Sequence, residues 1–250
     1  VRVEGSGERQ RWFARGPSGE TPLELAERIG DAYGLVLFLI LTTFVVAMTL
    51  PAEGAGGRVA AITVAGLTAI IALTSSDVRL GRVRLAVGVA LAAVLAAVLA
   101  SVLSSDALLG VAFIIDSLLL AVAAIVILRR IVLTAQVDFR TILGAISVFT
   151  LLGLLFAFLF LSLGRLVSGD TFSGVSNASA RDYLFFSYTT LTTTGYGNLV
   201  PAGTIGQILA VFEMLTGQVF MVTLVAGLVS LWRPGARAAE RAAPQDEQQA

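Results

Sequence analysis

Few residues in this chain have the types and spacing needed for chemistry. The most distinctive run is Thr192-Thr193-Thr194-Gly195-Tyr196-Gly197-Asn198, which lies just before Pro201. Gly195 and Gly197 permit left-handed backbone angles that a Cβ penalises. Glycines at alternate positions let consecutive carbonyls point to one side. The available chemistry is then that of backbone oxygens. Side-chain chemistry is narrowly bounded, because the 250 residues contain no histidine and no cysteine. That removes disulfides, thiolate nucleophiles, Cys/His zinc sites, haem ligation through His and any Ser–His or Cys–His triad. Two acids, Asp116 and Glu213, stand inside apolar stretches. A charge in such a place is costly and marks function by default. They are too far apart in sequence to suggest a carboxylate pair, so no enzyme is expected.

The elements that must position these residues read as membrane helices. The composition is 56% hydrophobic and 14% charged, against about 45–50% and about 25% in an ordinary soluble domain. The mean hydropathy is +0.88. Six apolar stretches stand out: Leu35–Leu50, Val59–Thr74, Val83–Leu103, Leu108–Leu128, Ile142–Leu163 and Ile205–Trp232. Each approaches the roughly 20 residues needed to span a bilayer. All six prolines fall outside these stretches or at their ends, where a missing N–H does least harm. The pattern predicts an all-α membrane protein with six transmembrane helices.

The 17 basic residues are all arginine. With the N-terminus in the cytoplasm, 14 of the 17 lie in inside segments; only Arg58, Arg165 and Arg181 lie outside. The positive-inside rule therefore predicts a multi-pass protein of the plasma (inner) membrane with both ends cytoplasmic. Residues 1–34 are expected to form a cytoplasmic N-terminus. In it, Thr21-Pro22-Leu23-Glu24 reads as a capping box that starts a short interfacial helix. Residues 35–134 form a four-span domain, 135–232 a second membrane domain, and 233–250 a short polar tail.

Between the fifth and sixth spans, Ala180–Thr192 is too short and too polar to cross a membrane. Ser179 or Asp182 is placed to cap a short helix running to about Leu191. Tyr183, Phe185, Phe186 and Tyr188 give that helix an aromatic collar. Non-helical backbone at membrane depth is tolerated only where it is buried in protein or lines a watery cavity. A short helix, a glycine-alternating strand and a return at Pro201 fit that exception.

From about Ile142 to Ser230 the chain resembles the potassium-channel pore domain, and within that family the bacterial six-span, single-filter channels. The family motif, Thr-Thr-(Val/Ile/Thr)-Gly-Tyr-Gly-(Asp/Asn), is matched in order by Thr192 to Asn198. The resemblance implies a K⁺ filter at Thr193, Thr194, Gly195, Tyr196 and Gly197. Carbonyl oxygens of Thr193 to Tyr196 and the Thr193 hydroxyl would replace the hydration shell of K⁺. K⁺ ions would be the only bound group, with no organic cofactor. Tyr196 would point outward as an anchor against the pore-helix aromatics. One chain supplies one filter strand, so a homotetramer in membrane lipid is implied, with no nucleic-acid partner.

The sequence departs from the family pattern in places. Thr194 stands where valine is commoner. Asn198, at the outer mouth, replaces the commoner aspartate. Thr189 sits where some members carry a buried acid behind the filter. Glu213 is expected to support the pore helix through Tyr188 or Thr190, or else to face the cavity and attract cations. Gly217 lies at the family's hinge-glycine spacing, though close helix packing explains it equally. Gln218, Met221, Val222, Val225 and Val229 fall near one helical face and are expected to line the cavity and its gate. No span carries an arginine ladder, so voltage sensing should be weak or absent. Asp116 is a buried hydrogen-bond partner or a sensor. The competing readings are a potassium-transporter subunit and a non-conducting sensor or scaffold.

Overall fold

The computed structural model describes residues 22–49, 55–74, 80–133 and 139–231. The remainder of the predicted N-terminal segment, the tail after Leu231 and the side chain of Val229 lie outside the described residues. Seven helices follow in order: α1 Pro22–Thr49, α2 Ala55–Thr74, α3 Leu80–Leu103, α4 Asp106–Leu133, α5 Phe139–Leu166, α6 Ala180–Leu191 and α7 Thr204–Leu231. Among the described residues the only strand-like features are isolated bridges of Phe172 with Val175 and Pro201.

Local sequence accounts for the element boundaries. Pro22 opens α1, the position where its missing N–H costs nothing. The helix that starts there runs unbroken to Thr49. The expected interfacial helix is therefore the first part of one long helix and not a separate element. Ser104, with φ +50, turns the chain between α3 and α4. Ser105 then caps α4, its Oγ accepting from the Leu108 amide at 3.4 Å. Asp106 in the first turn of α4 and Arg130 in its last turn complement the helix dipole.

Among the described residues, four helical stretches are long and apolar enough to cross a membrane: Val83–Leu103, Asp106–Val132, Thr141–Leu166 and Thr204–Gly227. Two shorter apolar stretches, Gly34–Val46 and Val59–Thr74, lie in α1 and α2. The 20 residues of α2 reach about 30 Å, the thickness of the hydrocarbon core. Its first turn is Ala-Gly-Gly-Arg, so its apolar part falls short of that length.

Helices α1 to α4 pack in sequence order, and α2 also touches α4. Helix α5 lies against both α1 and α4, the α4–α5 contact being the most extensive in the chain. The core between α2, α3 and α4 is largely alanine, with Ala65, Ala69, Ala90, Ala93, Ala97 and Ala112 among the buried residues. Small side chains let these helices approach closely. Helices α6 and α7 also pack against α5, and α6 touches α1; the packing around α6 is aromatic.

Candidate functional site

The short helix α6 is fixed at both ends. At its start Ser179 is the N-cap. The Asp182 carboxylate accepts from the Ser179 amide at 2.7 Å and from its hydroxyl at 2.8 Å. Of the two caps the sequence offers, Ser179 takes the position, with Asp182 closing a capping box from the third helical residue. Phe186 packs edge-on to Phe160 of α5 at 4.9 Å and against Phe172 at 5.0 Å. The Tyr183 hydroxyl shares a hydrogen bond with Thr171 at 2.9 Å. Tyr188 donates to the Thr150 carbonyl of α5 at 2.8 Å and meets Phe44 of α1 edge-on at 5.4 Å. Its ring fills a notch over Gly153, where an added Cβ would stand 2.6 Å from it.

Beyond α6, the amides of Thr193, Thr194 and Gly195 turn back into its last turns. Thr193 donates to the Thr190 carbonyl at 3.0 Å. Thr194 and Gly195 both donate to the Thr189 carbonyl, at 2.8 and 3.1 Å. The peptide bonds are trans, and in a trans peptide the carbonyl of the preceding residue points opposite to the N–H. The carbonyls of Thr192, Thr193 and Thr194 therefore point away from α6, toward one side. Thr193, Gly195 and Gly197 have φ of +58, +52 and +78. Left-handed backbone is ordinary for glycine but strained for a β-branched residue. Thr193 is thus a strained position that a glycine-based reading of the motif does not identify. All of Thr192 to Asn198 is exposed in the single chain.

The exit of this segment is also pinned. Leu199 and Pro201 are buried. The Ser173 amide donates to Val200 O at 2.8 Å, and the Ala202 amide to Thr171 O at 2.9 Å. Tyr196 stacks on Phe185 of α6, with ring centroids 5.5 Å apart and planes at 18°. An exposed segment is thus held between two anchored ends, with its tyrosine laid on α6.

The supports differ from those expected. Thr189 does not reach behind the segment with its side chain; its hydroxyl donates back to Phe186 O at 3.0 Å. Its carbonyl is what holds the segment. Glu213 is fully buried, and its partner is neither Tyr188 nor Thr190. Oε1 lies 2.5 Å from the hydroxyl of Ser187, which also contacts the Gly153 carbonyl at 2.7 Å. Both hydroxyls reach α5, Tyr188 at the Thr150 carbonyl and Ser187 at the Gly153 carbonyl; the rotation of α7 against α6 sets Glu213 opposite Ser187.

On α7 the buried positions are Gly206, Ala210, Glu213 and Gly217, a single stripe at helical spacing. A Cβ on Gly217 would run into the Leu191 carbonyl, at the end of α6. Close packing accounts for this glycine. Gln218, Met221, Val222 and Val225 are exposed in the single chain, away from that stripe. Asp116 lies elsewhere, in the four-helix half, fully buried beside Gly66. Neither of its carboxylate oxygens has a hydrogen-bond partner among the described residues. The structure therefore brings Glu213 and Gly217 against α6, whose Thr189 carbonyl holds the 192–198 segment, and leaves Asp116 apart. Ser187, Gly153 and the strained Thr193 are additions to the sequence-based set.

Residues 146–233, from early in α5 to just past α7, match the family model described as Ion channel. No curated protein and no solved structure matches the chain. The match covers about a third of the sequence. It supports an ion-channel pore-domain family for that segment, within an all-α, multi-pass membrane protein.

Proposed function

We propose that the chain is one subunit of a homotetrameric, potassium-selective channel, with Thr193 to Gly197 as its filter. The observation that carries this reading is the direction of the Thr192, Thr193 and Thr194 carbonyls. They face one way, into a side the single chain leaves open. A carbonyl row from one chain cannot enclose an ion, but four rows around an axis can. Closed cyclic symmetry is the common solution for such assembly. The alternation of left-handed residues through Gly197 continues the pattern across Gly195 and Tyr196. Carbonyls of Thr193 to Tyr196 would then replace the hydration of K⁺ at a site that costs no reorganisation as the ion enters. Conduction is passive and involves no catalysis.

The same reading places six spans in the plasma membrane with both ends in the cytoplasm, and makes α6 a re-entrant pore helix. Helix α7 becomes the inner helix. Its small-residue stripe holds the pore helix, and Gln218, Met221, Val222 and Val225 face the cavity of the tetramer. Val225 and Val229 form an apolar constriction that gates by dewetting. Asn198 leaves the outer mouth one negative charge per subunit poorer than the commoner aspartate would. Residues 35–134 carry no arginine ladder, and open probability depends little on voltage.

The test is K⁺ efflux from proteoliposomes containing the purified protein. Wild type is expected to release K⁺ into an impermeant-cation buffer, and Gly195→Ala is expected to abolish release. Equal release from both would refute the filter assignment.

A further inference from the structure

Two oxygen–oxygen contacts meet at Ser187. Its Oγ lies 2.7 Å from the Gly153 carbonyl of α5 and 2.5 Å from Oε1 of Glu213 on α7. Contacts this short between oxygens require a hydrogen in each. Ser187 has one hydroxyl hydrogen, and the Gly153 carbonyl has none to give. If Ser187 donated to Glu213, its lone pairs would face those of Gly153 O with nothing between them. The second hydrogen must come from the remaining partner, the Glu213 carboxyl.

From this count we infer that Glu213 is a neutral carboxylic acid that donates to Ser187, which donates in turn to the Gly153 carbonyl, and that this chain of bonds positions the filter. It ties inner, pore and outer helices at one point. Ser187 and Glu213 are both fully buried. The second carboxyl oxygen, Oε2, has no partner among the described residues. An unpaired carbonyl oxygen is tolerable at that depth; half of an uncompensated carboxylate is far more costly. The charged and titratable groups on the helices packed here do not change that count. Arg165 at the end of α5 pairs with Asp106 at 2.9 Å, and Arg181 at the start of α6 reaches the Thr49 carbonyl of α1 at 3.5 Å. The Tyr188 hydroxyl is committed to Thr150. Three residues beyond Ser187, the Thr190 carbonyl begins the set that holds the filter amides. Glu213 acts on the filter through Ser187 and is a positioning residue, not a cation attractor.

The inference rests on the channel reading, but its first test does not need conduction. Infrared difference spectra of wild type against Glu213→Gln should show a carboxylic-acid C=O band lost in the variant. A lost carboxylate band instead would overturn the assignment. The second test is K⁺ flux. Glu213→Gln keeps a neutral donor and should fold, form tetramers and conduct like wild type. Glu213→Ala and Ser187→Ala break the chain and should lower steady-state flux by about tenfold, the effect of one buried group left unpaired. Glu213→Gln behaving like Glu213→Ala, or failing to assemble, would refute the inference. So would full flux in both alanine variants. Wild type that does not pass K⁺ would instead refute the channel reading, with the infrared result still standing.

Discussion

The two halves of the chain pack their interiors in different ways. Around α6, Ser187, Tyr183 and Tyr188 each have a directed partner, and rings seat in fixed geometries against α5 and α1. In the four-helix half, Thr43 and Thr68 meet at 3.3 Å, the buried Asp116 has no partner among the described residues, and alanines supply much of the core. Directed bonds and filled notches specify one arrangement; small-residue packing tolerates many. The pore half is therefore built to hold a geometry. The other half is built to hold together, with Asp116 as its one unexplained feature.

That contrast can be broken by substitution. The largest effect is expected at the filter. Gly195→Ala and Gly197→Ala force a Cβ onto residues with φ of +52 and +78, and K⁺ flux in liposomes should vanish. Next come two glycine replacements made in parallel. Gly217→Ala drives a Cβ into the Leu191 carbonyl, which is backbone and cannot rotate away. Overpacking of that kind costs about 1–3 kcal/mol, and tetramer melting followed by size exclusion should fall clearly. Gly66→Ala meets the Ala90 Cβ at 3.2 Å and the Asp116 Oδ1 at an ordinary contact distance of 3.7 Å, and its melting should shift much less. Equal shifts would erase the distinction between the halves.

Smaller effects sharpen it. Tyr188→Phe removes the bond to Thr150 and should cost about 0.6–1.7 kcal/mol, the range for hydrogen bonds within membranes. Asp116→Asn removes no hydrogen bond and should leave melting and flux unchanged. A large loss on Asp116→Asn would assign that residue a role the geometry does not show. The smallest effect is expected from neutralising Arg129 and Arg130 to Gln. Conductance–voltage curves should keep their shallow slope, since these arginines sit only at the inner end of α4.

What the sequence disclosed follows the same divide. A cap at Ser179 or Asp182, the extent of α6, the aromatic collar and the left-handed glycines are local, and each is set by residues within a turn or two. The partner of Glu213 was not legible, because it depends on how α7 is rotated against α6. The contact of Gly217 with Leu191 O depends on the same rotation. Thr193 gave no sign of its φ of +58, since that angle is imposed by the amides folding back on Thr189 and Thr190. The pinning of Pro201 by Phe172 joins residues across the whole of α6. Six apolar windows were visible; among the described residues four helical stretches meet span length, and shorter apolar stretches mark the other two windows.

The central claim is that backbone carbonyls of Thr193 to Tyr196 select K⁺. Its most direct test is the reversal potential of the purified protein in a planar bilayer, with K⁺ on one side and Na⁺ on the other. The account predicts a potential close to the K⁺ limit, with the current lost in Gly195→Ala. A reversal near zero, carried by wild type, would contradict it.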